Sequence, residues 1–322
     1  MRVVRLGRIG DLDAVNALAA EQATPEDWDM LLSPESGPVR VYGADGSLVV
    51  VYLPGALIGD PAWEQAYPVL HALRLISDNR PQYGKGNADI RERGQQKVTT
   101  RGGLRYAEVK RDGTLSRQLR GTEVRSGIIG YYGRTGRHPY CRETAFTKNS
   151  PLEWAKLLPL CASIHSLMAQ HVRSRCLAQQ AFVSGIPDAY RIASTPWTTM
   201  TVNNSVAAGY HRDAGDLKEG FGVLAWARRG RYRGGELCFP RHRIAVDAHE
   251  GDVCFFDPHL MHGMAPMVGI GPMHKPEIGG WERLSLVLYA RKNMAACLEP
   301  EAELARANRR AEELATREEW MG

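Results

Sequence analysis

No stretch of this sequence runs the roughly 18 uncharged apolar residues that a helix needs to cross a bilayer. The first twenty residues, MRVVRLGRIGDLDAVNALAA, have charges scattered through them where an export signal would carry an unbroken apolar segment. Neither a membrane span nor a secretory leader is therefore expected. No CxxC pair occurs among the six cysteines (Cys141, Cys161, Cys176, Cys238, Cys254, Cys297). Their wide spacing speaks against a zinc ribbon and reads as reduced thiols rather than a disulfide framework, so the expected setting is intracellular, cytoplasmic or nuclear. Internal repeats and long low-complexity tracts are also missing. What remains is close to average, 43% hydrophobic and 24% charged, which is enough to bury a core. At 322 residues the chain suits one large domain with an N-terminal appendage.

Acidic residues are scarce in one segment. From Arg80 to Lys148 there are 16 lysines and arginines against 6 acidic residues, although the whole chain carries a net charge of only +5. The remainder is therefore net negative. Such segregation suits a phosphate backbone, because each neutralised phosphate releases counterions. A solvated basic loop without a partner has the same composition.

Residues 39–54, VRVYGADGSLVVVYLP, read as two strands around a turn at Ala44-Asp45-Gly46. The segment PAWEQAYPVLHALRLIS, from Pro61, spaces its apolar residues at helical intervals. Residues 78–125 are polar, basic and rich in glycine, as in an extended insertion. A helix is expected over 151–180, with Ser150 as N-cap and Pro151 in its first turn. From about 190 onward, β-branched and aromatic stretches such as FGVLAWAR, GDVCFFD and RLSLVLYAR alternate with Gly, Pro and Asp. This spacing predicts a sandwich or jelly roll. The last segment, from Glu299, reads as a charged helix with few apolar anchors, at the surface or at an oligomer contact.

His211-Arg212-Asp213 is the first candidate for chemistry. At a strand end, residues i and i+2 share a face, so an imidazole and a carboxylate there can chelate one metal. Alone the pattern is weak, since HxD arises by chance roughly 0.5 times in such a chain. Downstream, GDVCFFDPHLMHG brings a histidine-bearing loop 51 positions after His211. His262 is the preferred third ligand and His259 its competitor. Arg283 opens the apolar strand RLSLVLYA, where a charge is costly unless a carboxylate meets it. Two histidines and a carboxylate on one face leave coordination positions open, the arrangement of non-haem Fe(II) oxygenases. An arginine one strand later can hold the far carboxylate of 2-oxoglutarate. A zinc hydrolase is the alternative, though it needs no inward arginine and no nearby glutamate base can be placed.

Taken in order, YHRDAGDLKEGFGVLAWARRGRYRGGELCFP, EGDVCFFDPHLMHG and GWERLSLVLYARKNM resemble the core of the TET/JBP dioxygenases, the methylcytosine oxidases and the thymine hydroxylases of base J synthesis. The likeness covers about residues 190–295, with a weaker one in VVVYLPGAL and SGIIGYYGRTGRHPYCRETAFT. It implies an α+β fold with a double-stranded β-helix (jelly-roll, cupin-like) core and supporting N-terminal helices. The division would be an appendage over 1–38, a dioxygenase domain over 39–298 with the basic insertion near 78–125, and the charged helix over 299–322. The resemblance further implies that His211, Asp213 and His262 bind Fe(II), that Arg283 binds 2-oxoglutarate, and that dioxygen is the cosubstrate. Asp216 falls where family members place a base-contacting Asn or Asp. Arg291 falls where several methylcytosine oxidases have a base-contacting histidine, and there this sequence departs from them.

Three readings follow. The first is oxidation of the 5-methyl group of a pyrimidine in DNA, with 5-methylcytosine to 5-hydroxymethylcytosine favoured and thymine hydroxylation as the alternative. The base must then be flipped out of the duplex, and Tyr131, Tyr132 and Tyr140 in the basic segment are candidates for gripping the strand. The second is a 2-oxoglutarate hydroxylase of a protein or small molecule. The third is a catalytically silent jelly-roll DNA-binding module, against which the complete ligand set argues. For Asp216 and Arg291 an ordinary surface ion pair is the competing reading.

Overall fold

Central strands of the chain are apolar at nearly every position because each of their faces meets a different core. The computed structural model describes residues 1–73, 95–100, 103–120, 126–136, 138–270 and 281–321. Its strands are β1 (Arg2–Arg5), β2 (Met30–Leu32), β3 (Val39–Tyr42), β4 (Leu48–Leu53), β5 (Gln95–Thr100), β6 (Gly103–Val109), β7 (Leu115–Arg120), β8 (Ser126–Tyr132), β9 (Arg142–Glu143), β10 (Thr199–Asn204), β11 (Gly222–Arg229), β12 (Tyr232–Gly234), β13 (Leu237–Phe239), β14 (Ile244–Val246), β15 (Val253–Phe256), β16 (Gly263–Met264), β17 (Met267–Gly269) and β18 (Glu282–Tyr289). The helices are α1 (Leu12–Ala17), α2 (Pro61–Ala72), α3 (Ala145–Asn149), α4 (Pro151–His171), α5 (Arg173–Ser184) and α6 (Pro300–Met321).

The larger sheet runs β1-β3-β4-β15-β11-β18-β10-β8-β9, and a smaller one, β16-β13-β14-β2, accompanies it. In β11, Val223, Ala225 and Ala227 join the core shared with α2 and α4, whereas Leu224 and Trp226 join the core shared with the small sheet. β15 repeats the division, Val253 and Phe255 on one side and Cys254 and Phe256 on the other. This two-residue alternation is the pleat itself, filled on both faces. The result is the α+β, double-stranded β-helix fold expected from the spacing of the strands and from the resemblance.

Several local expectations need correcting. Residues 1–38 supply β1 and β2, which pair in parallel with β3 and β14, so this segment completes both sheets. Within 78–125, β5, β6 and β7 form a three-stranded antiparallel sheet. Val98, Thr99, Tyr106 and Val109 supply the strand preference beneath the charge. The rest of that insertion, 78–94, 101–102 and 121–125, lies outside the described residues, as do 74–77 of the helix expected after Pro61. The helix expected over 151–180 is two, parted at Val172, where φ is −137° and ψ 47°. Ser150 makes no side-chain cap; its N–H instead closes α3 on the Phe146 carbonyl.

The cysteines also depart from the reading as free thiols. Cys141 and Cys297 form a disulfide across 156 residues, while Cys161, Cys176, Cys238 and Cys254 are free and buried. The charged helix α6 is fastened at its start. Glu303, 2% exposed, accepts from Arg134 at 2.7 Å and from the Cys141 and Leu298 N–H groups at 3.0 and 2.8 Å. Among the described residues no helix is long and apolar enough to cross a membrane.

Candidate active site

The HxD segment is held by its neighbours before any metal is considered. Tyr210 is buried, and its hydroxyl donates to Asp27 at 2.8 Å. His211 and His262 exchange backbone hydrogen bonds at 2.9 and 3.0 Å, and the Asp213 N–H donates to the Pro258 carbonyl at 2.9 Å. Gly263 permits this pairing, because a Cβ there would lie 2.8 Å from Tyr210 Cδ1 and 3.0 Å from the Tyr210 nitrogen.

The side chains of His211, Asp213 and His262 offer ligand atoms that all lie within 4.8 Å of one another. His211 Nε2 is 3.7 Å and His262 Nε2 3.5 Å from the Asp213 carboxylate. Nδ1 of His211 lies 2.8 Å from the Gly209 carbonyl, and Nδ1 of His262 lies 2.9 Å from that of Leu260. A carbonyl only accepts, so each Nδ1 carries the proton and each Nε2 turns a lone pair inward, as metal ligation demands. Burial, reinforced by the charge of His262, pushes the His211 pKa below its ordinary value and favours the neutral ring. Burial opposes ionisation of Asp213, but the neighbouring histidines, His262 foremost, outweigh it and hold the carboxyl below the usual range. His262 is itself packed between Phe256 and Phe239, at ring-centroid distances of 5.0 and 6.2 Å. His259, the competitor, turns to Asp257 at 3.3 Å and is outside the cluster.

Arg283 is 2% exposed. The carboxylate expected to meet it is not supplied by the described residues. Its guanidinium lies over the Trp226 ring at 5.6 Å and reaches Met264 Sδ at 4.0 Å, two residues past His262. Burial pushes it below the ordinary guanidinium value, the mark of a desolvated cation awaiting an anion. Gly234-Gly235 lets β12 pack closely on the segment beside it. A Cβ on Gly234 would lie 1.9 Å from the Pro266 carbonyl oxygen, and one on Gly235 would lie 2.9 Å from Met267 Cγ. The Gly-Gly pair was the signal in the sequence for this close approach, and it went unread.

Asp216 and Arg291 face each other across an isolated antiparallel bridge, not as a surface ion pair. Asp216 is 9% exposed. Burial first, then the charge of Asp213, raises its pKa well above the carboxylate range, against the opposing pull of Arg291. Arg291 stacks over Tyr132 at 4.6 Å. Of the three tyrosines, Tyr131 is a core residue, set edge-on to Trp154 and Tyr190. Tyr132 and Tyr140 instead carry the guanidinium of Arg142.

Comparison with known proteins identifies a family. A family model, Tet_JBP, described as the oxygenase domain of the 2OGFeDO superfamily, matches residues 127–292. Thymine dioxygenase JBP1 of Trypanosoma brucei brucei is 31% identical over 185 residues, covering 57% of this chain and 21% of that protein. The bifunctional helicase and thymine dioxygenase JBP2 of Leishmania major is 33% identical over 172 residues, 52% of this chain and 15% of that one. The chain thus spans about a fifth or less of the length of these relatives. Among solved structures, NgTET1 in complex with 5mC DNA aligns with a TM-score of 0.51 at 15% identity, covering 86% of this chain and 89% of that chain. That likeness is one of fold.

Proposed function

Because the chain belongs to the Tet_JBP family, the oxygenase domain of the 2OGFeDO superfamily, which works with Fe(II) and 2-oxoglutarate, we propose that it hydroxylates the 5-methyl group of thymine in DNA. The observation that carries the chemistry is the inward convergence of His211, Asp213 and His262 beside a buried Arg283 to which no described residue supplies a carboxylate. The choice of thymine rests on the relatives named thymine dioxygenases. The sequence-level preference for 5-methylcytosine gives way to it.

In this reading His211, Asp213 and His262 would hold Fe(II), and Arg283 would take the distal carboxylate of 2-oxoglutarate. The iron and its cosubstrates supply oxidation of an unactivated methyl group coupled to decarboxylation of 2-oxoglutarate. The chain's own contribution is placement. Phe239 and Phe256 fix the His262 ring and keep water from that side of the site. Asp216, held protonated by burial, donates to O4 of a flipped thymine and accepts from N3–H. It serves N4–H and N3 of 5-methylcytosine equally well, so this contact does not choose the base. Arg291 contacts the substrate from across the bridge.

The test is mass spectrometry of nucleosides from two duplexes, one with 5-methylcytosine and one with ordinary bases, after incubation with Fe(II), 2-oxoglutarate and ascorbate. Gain of one oxygen on thymidine, absent with His211→Ala, is the expected result. Oxygen gained only on methylcytosine would reassign the base. Succinate release without either product would move the search to proteins and small molecules.

A further inference from the structure

The row of side chains leading away from Asp216 ends on two guanidinium groups, those of Arg142 and Arg291, with which no carboxylate among the described residues forms a salt bridge. Strand register sets Arg142 of β9 opposite Tyr132 of β8. Arg291, just beyond β18, lies over the same ring; the Cζ-to-centroid distances are 5.2 Å for Arg142 and 4.6 Å for Arg291. Nη1 of Arg142 and Nε of Arg291 are buried with no hydrogen-bond partner among the described residues. Burial also pushes Arg142 below its ordinary pKa, only partly offset by Tyr140 and Tyr132. Two partly desolvated cations on one ring are costly until an anion joins them; cation–π contact offsets only part of that cost.

The pair is also rigidly placed. A Cβ on Gly133 would fall 2.6 Å from Asn293 Oδ1, so the backbone after Tyr132 packs directly on the turn that follows Arg291. Asn293 Nδ2 donates to the Arg134 carbonyl at 3.1 Å. Thr198 links the same two segments, accepting from the Tyr131 N–H at 3.0 Å and, through its hydroxyl, from the Arg291 N–H at 3.4 Å. The Cys141–Cys297 disulfide joins the residue before Arg142 to the end of that turn. Two guanidinium groups carried on one tyrosine ring, with Asp216 across the bridge from Arg291, offer the donor chemistry that the two free oxygens of a phosphodiester accept.

We propose that Arg142 and Arg291 together grip one phosphodiester of the DNA strand, the one beside the extruded nucleotide, with Tyr132 keeping the two guanidinium groups in register. This rests on the DNA reading above. It gives Arg142 a role in positioning the strand and makes Arg291 the link between the phosphate and Asp216.

A methylphosphonate scan tests it. Binding of the full chain is measured by fluorescence anisotropy to thymine-containing duplexes, each with one neutral methylphosphonate along the target strand. Wild type, Arg142→Gln and Arg142→Lys are compared. One position flanking the target base should weaken wild-type binding about tenfold, the loss of one charge-assisted contact. Arg142→Gln should weaken binding to the unmodified duplex to a similar degree, lower the salt slope by about one, and respond less than wild type to that methylphosphonate, since only Arg291 still reaches it. Arg142→Lys, a charge without the fork, should keep part of the sensitivity and decides the matter if the glutamine variant does not fold. If the two losses multiply, or no single position matters to a wild type that binds and oxidises thymine, the phosphate assignment is wrong and the DNA reading stands. If wild type neither binds nor oxidises the duplex, the DNA reading falls and this proposal falls with it.

Discussion

Arg283 and Asp216 are both titratable residues stripped of water, and each makes a prediction of its own. Replacing Arg283 by Gln removes the charge-assisted bonds to the cosubstrate, worth about 1.5–3 kcal/mol, so the apparent affinity for 2-oxoglutarate should fall roughly 10- to 150-fold. Succinate release measured against 2-oxoglutarate concentration checks this, and an unchanged half-saturation would remove Arg283 from the site. For Asp216, the raised pKa means that Asn, a donor and acceptor of similar shape, imitates the native group. Asp216→Asn should keep kcat/KM on DNA within about tenfold, whereas Asp216→Ala should lose roughly a hundredfold by leaving the flipped base unpaired. Equal losses in the two variants would show that the ionised form is the working one. At this scale the sequence was readable where chemistry needs a fixed spacing: His211 and Asp213 two apart, and a histidine after an apolar strand. It was not readable at Arg142, which becomes part of the site's surroundings only through the register of β8 with β9.

Among the elements, the pairing of the HxD segment with the segment bearing His262 depends on Gly263. Gly263→Ala drives a methyl into Tyr210 and should cost about 1–3 kcal/mol, as overpacking does, while loosening metal retention. A melting temperature and iron content both equal to wild type would contradict the account. Docking of α6 depends on Glu303, which is buried and accepts from Arg134, Arg306 and the Cys141 and Leu298 N–H groups. Glu303→Ala should cost about 3 kcal/mol by stranding Arg134 and two backbone N–H groups; a shift under about 0.5 kcal/mol in chemical denaturation would mean that the helix is held elsewhere. Sequence patterns revealed strands with two buried faces, since β4, β11 and β15 are almost wholly apolar. They concealed β5 to β7, whose strand preference is interrupted by glycine and charge. They concealed the break at Val172 as well, where an apolar residue continues the helical pattern while its backbone leaves it. The two parallel edge strands, β1 and β2, are three or four residues long and gain their identity only from partners that lie further along the chain.

For the whole molecule, the cysteines test the packing. Burial pushes the Cys161 and Cys238 thiols up to about 12 and raises those of Cys176 and Cys254. A thiol whose pKa is raised stays protonated and unreactive until the pH approaches that value or the fold opens. Alkylation at about pH 8 should therefore label none of the four in the folded chain and all of them in denaturant. Fast labelling of any in the native state would contradict the packing described for its core. The disulfide itself could not be read from the sequence, because six cysteines allow 15 pairings and its partners are 156 residues apart.

Cys141 and Cys297 are 2% and 7% exposed, so a dissolved thiol reaches neither sulfur while α6 remains docked beside them. Thiol exchange requires an attacking thiolate to approach the bond, and here approach requires local opening. The rate at which glutathione cuts this bridge therefore measures how often the C-terminal end of the chain lets go of the strand gripped by Glu303, a chemical clock running beside the active site.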